Sequence, residues 1–181
     1  MSGTKKAIDL SEEFLETFLS SLYDENEKEL VRRIVTCFAD CGLPVKTKQY
    51  DQPCMEGTLR ILCFIKKSAE AVIINNKGMG HDCMSIQVRI DDRSILDKID
   101  SFSPNIRNQI LNAANCGHCS TKCENKKYRF TYQENEYVKC RVLCSNFSFQ
   151  HIDKNGVCDI MDIINNEIAY KQTHANKHFA R

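Results

Sequence analysis

Apolar side chains recur at helical spacing toward both ends of the chain and at alternating positions between them, a pattern that outlines a mixed α+β protein. Asp9 with Glu12 has the form of a capping box, and Phe14, Leu15, Phe18, Leu19 and Leu22 then share one stripe, predicting a helix over about 10–22. Asp24 with Glu27 repeats the box ahead of Leu30, Val31, Ile34, Val35 and Phe38, a run that Gly42 and Pro44 end. A helical hairpin over 8–43 is the expectation.

From Thr58 the period changes to two. Leu59, Ile61, Cys63 and Ile65 alternate, Lys67-Ser68 can turn, Ala71 to Ile74 is a second apolar run, and Ser85 to Ile90 alternates again. These three runs read as an antiparallel meander, with a glycine-bearing loop over 75–82 between the second and third. Ile95, Leu96, Ile99 and Phe102 suggest a short helix. Ser103-Pro104, an N-cap followed by proline at the first helical position, opens another with Ile106, Ile110 and Leu111 inward. Meander and helices together span 58–114.

Tyr128 to Tyr132 and Glu136 to Cys144 are strand-like, joined at Glu134-Asn135, with Phe147 and Phe149 extending the second strand past a phase slip near Ser145-Asn146 that predicts a bulge. A last helix is expected over 155–172, its most periodic part 158–171 burying Ile160, Ile163, Ile164 and Ile168, before a frayed tail at 173–181. No internal repeat or flexible linker divides the chain, so a single α+β domain over 1–181 is the expected organisation.

Composition narrows the chemistry. Twenty-five basic against 24 acidic side chains leave a net charge of +1, which supplies no overall field for nucleic acid or an anionic membrane. The first ten residues hold two lysines but no long apolar run, so a secretory leader is not expected, and no stretch approaches the roughly 18–20 apolar residues of a membrane span. Eleven cysteines, an odd number, then fit a reducing, cytoplasmic setting in which clustered thiols bind metal or react.

One cluster demands such chemistry. Cys116-Gly-His-Cys119, then Cys123, then Cys140 and Cys144, form a zinc-ribbon-like hairpin lobe over 115–150. Two cysteines two residues apart can turn both sulfurs toward one ion, and Gly117 eases the turn. A regular strand would hold Cys140 and Cys144 about 13 Å apart, too far to share an ion whose sulfurs lie about 4 Å from each other. The expected site is therefore one structural Zn2+ on Cys116, Cys119, Cys123 and Cys140, with Cys144 the alternative fourth ligand and His118, His174 and His178 further candidates. Cys37, Cys41, Cys54, Cys63 and Cys158 read instead as small apolar fillers.

Cys116-Gly-His-Cys119 also resembles the active-site tetrapeptide of the protein disulfide isomerases, which implies a thiol redox role for Cys116 and Cys119. The resemblance covers four residues; here Asn115 precedes the motif and the chain has no tryptophan. Ferredoxin cysteine spacings are not matched.

A four-cysteine zinc site is coordinatively closed, so function is expected elsewhere, as a binding module for an unidentified small molecule or protein. Lys122, Lys126, Lys127, Arg129, Lys139 and Arg141, interleaved with Tyr128, Phe130 and Tyr132, offer a nucleic-acid alternative that Glu124, Glu134 and Glu136 dilute. His81, Asp82 and Cys83 hold the elements of a nucleophilic site, but neighbours along a chain point apart. With no hydrolase elbow, phosphate loop or zinc-protease helix, a non-enzymatic role is favoured.

Overall fold

A computed structural model describes residues 7–49, 57–66, 69–77, 83–113, 128–139 and 147–176. Two antiparallel sheets and a set of helices follow one another along them: β1 (Ile8–Asp9), α1 (Glu12–Ser20), α2 (Glu25–Asp40), β2 (Val45–Gln49), β3 (Leu59–Lys66), β4 (Ala69–Asn75), β5 (Ser85–Val88), a 3-10 segment (Arg93–Ser101), α3 (Pro104–Asn112), β6 (Tyr128–Tyr132), β7 (Asn135–Lys139), β8 (Phe147–Phe149) and α4 (Lys154–Asn176). Among the described residues no helix is long and apolar enough to cross a membrane.

The main sheet has six strands in the order β1-β2-β3-β4-β5-β8, every neighbouring pair antiparallel. Its register decides its chemistry. Thr47, Ile61, Ile74, Ile86 and Phe149 stand opposite one another across five strands, and Val45, Cys63, Val72, Val88 and Phe147 form the next row on the same face. Most of these are fully buried, in one cluster with Phe18 and Leu19 of α1, Leu30, Ile34 and Phe38 of α2, Ile106 and Ile110 of α3, and Ile160, Ile163 and Ile164 of α4. The helices thus cover one face of the sheet. The other face carries Lys48, Arg60, Asn75 and Ser85 in one row, where Arg60 Nε donates to Asn75 Oδ1 at 2.6 Å and Asn75 Nδ2 donates to Ser85 Oγ at 3.1 Å.

The three-strand antiparallel meander forms as expected, but tertiary pairing extends it on both sides. β1 and β2 escape a reading by period because Val45-Lys-Thr-Lys-Gln49 holds one apolar residue and is fixed by its ladder to β3. Phe147 and Phe149 do not prolong β7; they form β8, which crosses into the main sheet against Val88 and Ile86. The change of in/out phase before them therefore accompanies a change of sheet, and the bulge expected at Ser145-Asn146 lies outside the described residues.

Helix boundaries shift where caps compete. Ser11, not Asp9, caps α1, its hydroxyl accepting from Phe14 N at 3.2 Å, while Asp9 pairs with Lys46 in β1. Asp24 does cap α2, but its Oδ1 accepts from Asn26 N at 2.7 Å and no bond returns from Glu27, so the expected box is half made. The principal helix packed against α2 is α4 rather than α1, so the expected α1–α2 hairpin is two helices in succession. Ser103 occupies the N-cap position of α3 without a side-chain cap; its amide donates to Asp159 Oδ2 at 2.8 Å. α4 is longer than expected at both ends, and His174, placed in the frayed tail by its sequence, is helical and stacks on Tyr170.

The hairpin turn is Gln133-Glu134, one residue earlier than expected, with φ of 46° and 66°, the left-handed pair that a two-residue hairpin loop requires. Tyr128 and Phe130 face the core, and the Tyr128 hydroxyl donates to Ile90 O at 2.5 Å, tying hairpin to main sheet. Immediately after Ile90, Glu167 of α4, 1% exposed, accepts from the amides of Asp91 and Asp92 at 2.8 and 2.7 Å, and Lys171 pairs with Asp91 at 2.9 Å. Burial, partly offset by those amides and by Lys171, holds the Glu167 carboxyl above the usual range.

Candidate functional site

Cys116, Cys119, Cys123, Cys140 and Cys144 all lie outside the described residues, as do His118 and His178. What is described is the frame they hang from. The two intervening stretches begin and end at Ala113, Tyr128, Lys139 and Phe147. Lys139 Nζ donates to Ala113 O at 2.8 Å and to Leu111 O at 2.5 Å, so the last residue of β7 is fastened to the end of α3. Lys139 is also the register partner of Tyr128, whose ring lies 5.3 Å from that of Phe147. All four ends therefore meet at one patch. Lys139 is 3% exposed and burial pushes its ammonium pKa down, against the favourable placing of the charge at the negative end of the α3 dipole.

The same patch bears on the nucleic-acid alternative. Of the basic and aromatic residues expected to line it, Lys139 is buried, Arg129 pairs with Glu136 at 2.9 Å, and Tyr128 and Phe130 are in the core. Lys122, Lys126, Lys127 and Arg141 lie outside the described residues.

A second assembly, not expected from the sequence, is a cleft of about 340 Å3 lined by Tyr23, Asp24, Asn26, Glu27, Cys83, His151, Ile152 and Asp153. Four chain segments build it. The α1–α2 link brings Tyr23 and Asp24, the first turn of α2 brings Asn26 and Glu27, Cys83 precedes β5, and the step from β8 into α4 supplies His151 to Asp153. α3 fixes that last segment from behind: Gln109 exchanges hydrogen bonds of 2.9 and 2.8 Å with the backbone of Gln150, and Asn105 Nδ2 donates to His151 O at 2.7 Å. Held this way, His151 adopts a φ of 50°, a left-handed conformation uncommon outside glycine. Asp153 Oδ1 accepts from Gly156 N at 2.7 Å, and a Cβ at Gly156 would come within 3.2 Å of Ile106, Ile152 and that carboxylate, so a side chain would crowd this close start of α4.

Glu27 is the unusual group of the cleft. It is 7% exposed and has no hydrogen-bond partner among the described residues. Burial first, and the neighbouring Asp24 carboxylate second, raise its pKa above the ordinary carboxylate value, with His151 opposing. Of the triplet His81, Asp82 and Cys83, only Cys83 is described, and it faces this cleft with His151.

A third feature is an open groove of about 440 Å3 between α2 and α4, lined in part by Arg32, Arg33, Cys37, Cys41, Met161 and Asn165. The filler reading of several cysteines is corrected: Cys63 is buried, but Cys37 lies beside the buried stripe of α2 and is half-buried, Cys41 lies past its end at Phe38 and is exposed, and Cys158 is exposed on α4. Cys54 lies outside the described residues. Among the described residues no group of three or more His, Cys, Asp or Glu side chains is arranged to hold a metal ion.

Among the described residues, fold and site thus define a mixed α+β protein with a six-stranded antiparallel sheet, a small hairpin and an acidic cleft. No family model matches the chain, and neither a curated protein nor a solved structure matches it.

Proposed function

We propose that the chain is a cytoplasmic binding module whose cysteine-rich stretch folds around one structural Zn2+, held by Cys116, Cys119, Cys123 and Cys140, with Cys144 as the alternative fourth ligand. The observation that carries this reading is the convergence of Ala113, Tyr128, Lys139 and Phe147. An extended chain advances at most about 3.6 Å per residue, so Cys116 lies within about 11 Å of Ala113, Cys123 within about 18 Å of Tyr128, and Cys140 about 4 Å from Lys139. Every ligand is thereby within reach of one point. A site closed by four thiolates has no position for water, so the ion would stabilise the lobe and not catalyse. Binding falls to the body of the molecule, where the cleft between α2 and the start of α4 gathers the chemistry.

Native mass spectrometry with elemental analysis of protein purified without added metal tests the zinc reading. One zinc lost on denaturation is expected, and Cys119→Ser should release it and destabilise the C-terminal half. Absence of zinc, with Cys116 and Cys119 readily forming a disulfide, would replace this reading with thiol redox chemistry; an unchanged melting curve for Cys119→Ser would remove the folding role.

A further inference from the structure

We propose that the cleft between α2 and the start of α4 is a binding site for a small organic cation, a protonated amine or guanidinium, seated against the Glu27 carboxylate. Glu27 follows Asp24 at capping-box spacing, yet it makes no return bond to the Asp24 amide and lines the cleft instead. There it is 93% removed from solvent, since only 7% of its surface is exposed, and it has no hydrogen-bond partner among the described residues. A carboxylate so largely removed from water and without a partner is disfavoured as an ion, and its complement is a donor-rich cation.

The rest of the wall has the same sign. Asp24 and Asp153 each have one oxygen engaged by the helix that follows, Asp24 with Asn26 N and Asp153 with Gly156 N, both at 2.7 Å. Those two bonds engage only one oxygen of each carboxylate. Three carboxylates face one imidazole, His151, together with the Cys83 thiol and the Tyr23 phenol, which disfavours an anionic ligand. Tyr23 is 94% exposed at the rim, where its ring face can cover a cation, and buried Ile152 gives an apolar floor for a short alkyl stem. A metal ion suits the cleft less well, since no group of three or more ligating side chains among the described residues converges on one point. About 340 Å3 is ample for a short alkylammonium or guanidinium. The raised Glu27 pKa agrees with this geometry, because a bound cation would draw the carboxyl back to its ionised form.

The test is NMR titration of the isotope-labelled full chain with n-butylammonium and methylguanidinium, using butyrate and butyramide as anionic and neutral counterparts of similar size. Saturable shifts confined to residues around Tyr23, Glu27, Cys83 and His151 are expected for the cations alone. Glu27→Gln should weaken them at least about tenfold, the loss of one hydrogen bond to a charged partner. Tyr23→Ala, at a residue too exposed to affect folding, should weaken them by about twofold or more. Equal shifts with butyrate or butyramide, cation binding that survives Glu27→Gln, or no saturable cation binding by the folded chain would each overturn the assignment. Loss of zinc from the cysteine lobe would not produce any of these outcomes.

Discussion

Replacing Lys139 by Met removes the fastening between β7 and α3 at nearly constant volume. The ammonium donates at 2.5 and 2.8 Å to Leu111 O and Ala113 O. Each hydrogen bond from a charged donor contributes about 1.5–3 kcal/mol, so the gross loss is about 3–6 kcal/mol. Met needs no desolvation, and the lowered pKa of Lys139 shows that burial opposes its charge, so a few kcal/mol of that loss are recovered. A net destabilisation of about 2 kcal/mol remains, which for a chain of this size lowers Tm by about 4–8 °C. Thermal and urea unfolding followed by circular dichroism would read this directly. Zinc occupancy, measured on the same samples, should also weaken, since the ends carrying Cys116 and Cys140 are no longer held together. A variant as stable as wild type with undiminished zinc affinity would refute the idea that Lys139 clamps the lobe to the body.

Other perturbations probe separate parts of the molecule. Glu167→Ala leaves two part-buried amides of the segment after β5 without their acceptor and should cost about 2–4 kcal/mol, whereas Glu167→Gln, which keeps the accepting oxygen, should cost about 1 kcal/mol; equal losses in urea unfolding would contradict the assigned role. Because the folded-state pKa of Glu27 is raised, its favourable contribution is present at acid pH and is lost as pH rises through the folded value. Glu27→Gln should therefore gain on wild type between about pH 4 and pH 7, and a Tm difference that does not vary with pH would count against a buried, uncompensated carboxylate. Alkylation of the native protein followed by peptide mapping should label Cys41 and Cys158 first and Cys63 only on unfolding, since burial raises the Cys63 thiol pKa as well as shielding it. Labelling of Cys63 at the rate of Cys41 would show that the sheet core opens readily.

Periodicity alone placed α2, the β3–β5 meander, the hairpin and most of α4, because an amphipathic stripe or an alternating run is a local property that the fold has only to accept. Most of the apolar residues expected to be buried in these elements form the core, Cys37 and Cys41 of α2 excepted. Where several local solutions compete, the three-dimensional context selected among them: Ser11 over Asp9 as the α1 cap, Gln133-Glu134 over Glu134-Asn135 as the turn, and a cleft-facing Glu27 over a closed capping box. Sheet membership is a non-local decision as well. Nothing in Phe147-Ser-Phe149 says that it pairs with Val88 and Ile86 instead of continuing β7, and the sparse pattern of β2 acquires meaning only beside β3. The cleft was invisible for the same reason. Its members Glu27, Cys83 and His151 are separated by tens of residues, and only the packing of α2, β5 and α4 around one apolar sheet face brings them to the same wall. Sequence spacing could propose the cysteine cluster because a knuckle is a local motif. The meeting of the four chain ends that would let it close is a property of the tertiary structure, set by one buried lysine and one hairpin register.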